Sequence, residues 1–559
     1  LRAAEGIELF FERVRLARAE SRISRADRPV VERICGKLDG LPLAIELAAA
    51  RVRMSTLQQV ELDVRRHSES PERGSLHAMY ESSYQLLEAA ERAVLRRLAT
   101  FRSGWTVTVA VAACAGVAAS KEVLAAFTTL VEHSLVVPPG VAEVAGRYSM
   151  LDATRDFASA RASALGEAEH DAHAHAVAVA EHYVALGPLL RAERAAEYYT
   201  EIGRDRENVE AALATLWAGD AGDRARATDL SLAMSRFWVD QGFAREGEGW
   251  LRKALADVAA GDTAKRLELL RVIGILTRDL GDYAVSFRDF SELVLALESA
   301  RADCVEIAKV QTMAANAARM TGDFDEALAR TRRAHAAFTE RGETYLAAWA
   351  TYAIGTTLLS AGRFAEAAVE LERATDAFND AGATADSSSS IANLALCHYY
   401  EGRLDVAHEL SRESLARANA VGHRYYHAHA TINEALILHA LGEPERAWAH
   451  VVEATAIGVN LGAQDVLISC AEVACALLAA ESAEDAAMLL GSVDNARERV
   501  KAHRFPVDLP LYDGVRAALA RGLGDERFTA LRARGRVIAL SDAVTRIAER
   551  PGVGAPARV

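Results

Sequence analysis

The sequence predicts an all-α (mostly) chain: a helical N-terminal part, then a long stack of helix pairs. Three observations carry this. Pro is only 11 of 559 residues and aromatics 6%, while alanine and leucine abound, a balance that favours helices over strands. Glycines recur at 242, 281, 322, 362, 402 and 442, in steps of 39, 41, 40, 40 and 40. Apolar residues near the N-terminus fall at helical spacing. The length allows about three or four domains.

In EGIELFFERVRLARAE (5–20), Ile7, Phe10, Phe11 and Val14 share one face and predict a helix. RPVVERICGKLDG gives a second, with Pro29 in its first turn, Val30, Ile34 and Leu38 on one side, and Gly40 as its stop. Pro42 cannot continue that helix, but its fixed φ and missing N–H suit the first turn of the next, LPLAIELAAARV. On backbone physics alone, Gly-Leu-Pro-Leu is a corner between two helices.

Further on, LHAMYESSYQLLEAAERAVLRRLATF (76–101) reads as two helices and KEVLAAFTTLVEHSLVV as a third running into a short strand at Leu135–Val137. Pro138, Pro139 and Gly140 turn the chain, RYSML (147–151) returns as a strand, and DATRDFASARASAL closes with a helix for which Asp152 is the expected N-cap.

In the second half the glycine series has companions. Seven residues before each Gly stands Ser235, Gly274, Ala315, Gly355, Ala395 or Ala435; five after it stands Gly247, Ser286, Ala327, Ala367, Ala407 or Ala447. Small side chains at both places let two helices approach, and the Gly fits the left-handed position that ends the first. This pattern resembles the tetratricopeptide repeat, whose usual period is about 34 residues; the surplus here should lengthen the helices or the links between units. Weaker units near ENVEAALATLWAGD and SAEDAAMLL should cap the stack. Solenoids of this kind offer a concave face to a protein, peptide or small inducer. Trp238, Trp250, Tyr283, Phe290, Trp349, Tyr399, Tyr400, Tyr425, Tyr426 and Trp448 are assigned to packing between helices.

With that layout in place, DGLPLAIELAAARVR resembles the GLPL segment of the NB-ARC-type signal-transduction ATPases, the STAND class, and residues 76–165 resemble the winged helix that follows it there, including Ser83 to Leu87 as Ser-Tyr-x-Leu-Leu. The resemblance implies that Gly40, Leu41, Pro42 and Leu43 form the adenine side of a nucleotide pocket. It also implies a phosphate-sensing Met-His-Asp motif, present here as Met150, Leu151 and Asp152. Leu151 in place of His cannot donate a hydrogen bond to phosphate, which leaves Asp152 a weak contributor. Proteins of this layout are commonly transcriptional regulators of LuxR or antibiotic-regulatory type, or carry a cyclase-like domain. Their winged helix usually packs on the nucleotide domain and does not read DNA.

The implied organisation is a helical subdomain (1–70), a winged helix (71–165), a repeat superhelix (166–550) and a disordered tail (551–559). No G-x-x-x-x-G-K-[ST] occurs, so this chain is not expected to be an ATPase. ADP or ATP with Mg belongs only to a longer parent chain, which the start at Leu1 without Met also suggests. Expected partners are therefore the missing N-terminal nucleotide-binding domain, a ligand on the concave face, and a second copy when activated. The rival reading is a stand-alone repeat scaffold without a nucleotide switch.

A net charge of -14 argues against direct nucleic-acid binding. Six scattered cysteines without C-x-x-C signal neither zinc nor a disulfide framework, and the expected location is cytoplasmic, away from membrane. His170, His173, His175 and His182 read as surface residues, Ser387 to Ser390 as a loop and helix cap, and no catalytic or metal-ligating residue is assigned.

Overall fold

The computed structural model describes residues 3–17, 27–38, 42–52, 55–68, 75–140, 146–191, 195–259, 261–499, 501 and 504–548. They form two compact units, Leu1–Val258 and Ala259–Val559.

The first unit opens with α1 (Ala3–Ala17), α2 (Arg28–Lys37), α3 (Pro42–Arg51) and α4 (Leu57–Ser68). Ile7, Phe10, Phe11 and Val14 are buried as their spacing predicts. Pro29 sits in the first turn of α2, and α3 starts at Pro42. Ala44, Ile45, Leu47, Ala48 and Ala49 are fully buried, so α3 is a central helix with α1 and α5 (Ser75–Leu86) packed against it.

Next come α6 (Ala89–Leu98), α7 (Val107–Ala113), α8 (Ser120–Glu132) and α9 (Asp152–Ala164). The two expected strands shrink to single antiparallel bridges, Trp105 with Tyr148 and Val137 with Ser149. Gly104 makes the first possible: at φ +83° it brings the chain so close that a Cβ would stand 2.6 Å from the Tyr148 carbonyl oxygen. Asp152 is not the N-cap. Leu151 holds that position, and the Asp152 carboxylate accepts from Arg155 Nη1 at 2.5 Å instead.

The same unit continues through α10 (Ala168–Leu186), α11 (Ala195–Ala218), α12 (Ala221–Asp240) and α13 (Ala244–Asp257). Buried polar side chains tie α10 and α11 to the module before them. Arg97 of α6 pairs with Asp171 at 2.5 Å, Arg147 pairs with Asp205, and Tyr183 donates to Asp205 at 2.6 Å. Asn208 donates to the Gly104 carbonyl at 2.9 Å and accepts from the Arg102 amide at 2.8 Å.

The second unit stacks helical hairpins: α14 (Thr263–Asp279) with α15 (Tyr283–Ser299), α16 (Cys304–Met320) with α17 (Phe324–Glu340), α18 (Thr344–Ser360) with α19 (Phe364–Asp380), α20 (Thr384–Tyr400) with α21 (Leu404–Ala420), and α22 (Arg424–Ala440) with α23 (Pro444–Leu461). From α16 to α22 each helix has 17 residues and each turn three, which accounts for the 40-residue period; the surplus over the usual repeat lengthens both helices. The glycines that end the first helices have φ of 75–85°, and a second series, Gly342, Gly382, Gly422 and Gly462, turns the chain between hairpins at 64–71°. The small residues meet where expected: Ser286 Oγ donates to the Gly274 carbonyl at 2.8 Å, and Ala315, Ala395, Ala435, Ala327, Ala367, Ala407 and Ala447 are buried.

ADSSSSIA is not a loop but the first half of α20. Ser387, Ser388 and Ser390 are fully buried; Ser388 Oγ donates to the Ser414 carbonyl at 2.9 Å and Ser390 Oγ to the Leu371 carbonyl at 2.8 Å. Their hydroxyls are satisfied across helix contacts, which is why a serine run can lie inside the stack. Beyond α24 (Gln464–Glu481) and α25 (Ala483–Arg499), helices α26 (Leu509–Leu523), α27 (Asp525–Gly535) and α28 (Leu540–Ala548) cover the end of the core. The fold is thus an all-α solenoid of tetratricopeptide-like hairpins. Residues 551–559 lie outside the described residues.

Candidate ligand-binding cavity in the repeats

The first helices of successive hairpins, α16, α18, α20, α22 and α24, line one cavity of about 740 Å³, a size that suits a small ligand or a peptide end. The sixth residue of each helix faces it: Lys309, Trp349, Ser389, His429 and Ser469. The next turns add Asn316, Tyr352, Asn393 and Asn433, then Arg319, Ser360 and Tyr400. Side chains four and seven apart lie on one helical face, so each helix offers a short stripe, and the 40-residue period sets the stripes side by side.

The stripes are joined by hydrogen bonds. Tyr352 Oη lies 2.8 Å from Ser389 Oγ and accepts from Asn393 Nδ2 at 2.9 Å, while Asn433 Nδ2 donates to the Ala392 carbonyl at 3.3 Å. Burial raises the Tyr352 phenol pKa, so it remains a neutral donor. At one rim Tyr425 and His429 both bond Asp465. Burial alone would raise that carboxyl, but these two hydrogen bonds override it and hold the pKa at about 2.

The segment Arg504–Asp508 returns from the C-terminal helices to close one side. Phe505 packs edge-on to Phe324, Val507 is buried among Ile354, Leu358, Leu394 and Cys397, and Lys501 pairs with Asp282. Asp508 Oδ2 accepts the Phe505 amide at 3.1 Å and lies 3.9 Å from Arg497.

Sequence reasoning placed every quoted aromatic in packing. That holds for Trp238, Phe290 and Trp448, which are fully buried. Trp349 and Tyr400 pack too, against Phe378 and Phe364, but with Tyr425 and Tyr426 they also line the cavity. The usable signal was the register: at the small-residue positions the repeats agree in chemistry, whereas Lys309, Trp349, Ser389, His429 and Ser469 bring four different residue types to one equivalent place.

Of the residues assigned to an adenine side, Gly40 and Leu41 lie outside the described residues, as does the Leu43 side chain. Pro42 is exposed at the start of α3, beside a shallow depression with Glu5, Glu8, Glu12 and Glu46; Arg13 pairs with Glu46 at 3.0 Å. Carboxylates at this surface disfavour a polyphosphate. The Asp152 side chain is 90% exposed.

The four histidines part company. His173 bonds Asp223 and His182 bonds Glu201, each at 2.8 Å. His175 is not a surface residue: it is 2% exposed, in a T-shaped contact with Phe101, whose ring in turn meets Trp105. Among the described residues no group of three or more His, Cys, Asp or Glu could hold a metal, and no helix is long and apolar enough to cross a membrane.

Comparison with known proteins bears on the module in the first unit. The family model of the winged helix-turn-helix domain matches residues 87–162, the stretch from α6 to α9 with its two bridges. Residues 87–162 are a winged helix-turn-helix domain. A provisionally named HTH-type transcriptional regulator of Mycobacterium bovis is 32% identical over 266 residues, covering 45% of this chain and 29% of its own length. An uncharacterized protein of the same organism is 36% identical over 183 residues, 30% of this chain and 44% of its own. The chain thus spans under half the length of these curated relatives. A signal-transduction ATPase with numerous domains and a tetratricopeptide repeat sensor, from Pyrococcus horikoshii, aligns over 96% of this chain and 72% of that one, at 12% identity and a TM-score of 0.41.

Proposed function

We propose that this chain is the regulatory, signal-sensing portion of a nucleotide-switched bacterial transcriptional regulator, with the signal held in the cavity of the repeats. The observation that carries the reading is the cavity itself, whose wall mixes aromatic faces with asparagine amides and one arginine. Packing does not require such a wall, whereas a ligand that needs both contact area and fixed hydrogen bonds does.

In this reading the catalytic and phosphate-binding groups lie on a domain outside this sequence, and the chain itself is no enzyme. ADP, with its adenine against Pro42, helps hold a closed state; the signal binds an open, self-associating state more tightly. The equilibrium then moves only by the difference between the two affinities. The winged helix acts as a packing module. Its third helix exposes Lys121 beside Glu122 and Glu132, a face poorly suited to phosphates.

The gene upstream of Leu1 tests the switch. A P-loop and a Walker B Asp are expected there, and in that longer protein Pro42→Ala should weaken nucleotide binding. A start codon directly before Leu1 would replace the switch with a stand-alone scaffold, and unchanged nucleotide affinity in the variant would remove Pro42 from the pocket.

A further inference from the structure

We propose that the cavity takes an organic carboxylate, the acid group pairing with Arg319 and the apolar body lying on Trp349, Tyr352 and Tyr400. This rests on the cavity being the ligand site, and it adds the chemistry of the ligand.

Arg319 stands in the last turn of α16, half-buried in the cavity wall. Its guanidinium donates to Ser360 Oγ at 3.3 Å and to Asn316 Oδ1 at 3.0 Å, and it lies 5.5 Å from the centre of the Phe505 ring. All three partners are neutral, and Arg319 forms no ion pair among the described residues. Three other arginines of low exposure each have a carboxylate: Arg97 has Asp171, Arg147 has Asp205 and Arg497 has Glu472. A guanidinium partly withdrawn from water without a paired counterion is costly, and burial lowers its pKa. Two hydrogen bonds leave it further N–H donors, in a planar fork that matches a carboxylate.

Asp508 lines the same cavity and its charge reaches Arg319, but no nearby acid pairs with it directly. Asp508 accepts the Phe505 amide and faces Arg497, and Asp465 is taken by Tyr425 and His429. Lys309 adds a second positive charge to the wall. In a chain of net charge -14, this cavity therefore attracts an anion. One guanidinium among amides and hydroxyls suits a single negative charge, and the aromatic wall requires an apolar body to carry it.

The test is calorimetric titration of the full chain with indole-3-propionate and its amide, and with the peptide Gly-Gly-Trp as free acid and as C-terminal amide. At least one acid should bind about ten-fold or more tightly than its amide, and which of the two pairs shows the preference tells whether a small acid or a peptide terminus is the better fit. Arg319→Gln should abolish the preference and Arg319→Lys keep part of it, with unchanged circular dichroism. Trp349→Ala should weaken acid and amide alike. Equal binding of acid and amide to the unaltered chain, lost in Trp349→Ala, would overturn the carboxylate and leave the cavity as a ligand site. An acid preference that survives Arg319→Gln would overturn the role of Arg319, and no binding by any of the four compounds would overturn both the carboxylate and the cavity.

Discussion

Arg97 Nε lies 2.5 Å from Asp171 Oδ1, with 1% and 4% of the two side chains exposed. The pair fastens α6 of the winged helix to the first turn of α10, and Arg97 Nη1 also donates to the Ala113 carbonyl at 2.7 Å. A pair this dry gains little over an apolar contact, yet removing one partner strands the other. Asp171→Ala should cost about 3–5 kcal/mol, read as faster hydrogen exchange of α6 and α10 amides, since a local probe is needed in a chain of two units. Arg97→Met with Asp171→Leu should recover most of that loss; a double variant as weak as the single one would show that the pair acts through something other than stranded charge.

How much of this was legible in the sequence differs by region. The solenoid was readable because Gly at φ near 80° and small residues such as Ala315 and Ala327 recur at one spacing, and each is dictated by backbone geometry. The winged helix was readable in its helices but not in its strands, which reduce to bridges at Trp105 and Val137; the first depends on the close approach that Gly104 allows, which no alternation of residues encodes. The serine run of α20 misled because hydroxyls favour caps unless a neighbour accepts their hydrogen bonds, and Leu371 and Ser414 stand 19 and 26 residues away. The cavity was hidden for another reason. Its closing segment, with Phe505 and Val507, returns from beyond the last repeat, and no period encodes that.

His175 should make the first unit sensitive to mild acid. Burial lowers its pKa from 6.5 to about 4, so the folded state holds the ring neutral while the unfolded chain protonates it near 6.5. Between those values the unfolded state binds more protons, and stability therefore rises with pH. The contribution is complete above about pH 6.5 and lost as pH falls toward 4, amounting to roughly 3 kcal/mol. Exchange protection of α10 at pH 4.5 and 7 should show this slope, and His175→Gln should flatten it. A variant with the same slope would place the acid sensitivity elsewhere.

At the C-terminal end, α25 and α27 cross backbone to backbone. A Cβ on Gly535 would stand 1.8 Å from the Met488 carbonyl oxygen, and one on Gly491 2.0 Å from that of Arg532. Ser492 Oγ donates to the Gly535 carbonyl at 2.9 Å across the same contact. Either Gly→Ala substitution should force the helices apart and cost about 1–3 kcal/mol or more, visible as a lower thermal midpoint. The comparison is Gly322→Ala, which meets nothing within 4 Å and should cost about 1 kcal/mol through its positive φ alone. Equal losses at the two places would mean that the crossing relaxes freely.

The third helix of the winged domain, α8, is the kind of helix from which helix-turn-helix domains read a DNA groove, and its exposed charges are poorly suited to that. Its exposed face carries Lys121, Glu122, Leu124, Ala125, Thr128 and Glu132, so one positive charge meets two negative ones. Affinity for duplex DNA comes largely from cations that release counterions, and its slope against salt counts them. The chain should therefore show no retardation of a random 30-base-pair duplex at 50 mM salt and micromolar protein, conditions under which general phosphate binding is readily seen. Glu122→Lys with Glu132→Lys should begin to restore it, with a salt slope of about two phosphates or more. Tight, strongly salt-dependent binding by the unaltered chain would assign DNA contact to this module and remove the packing role proposed for it.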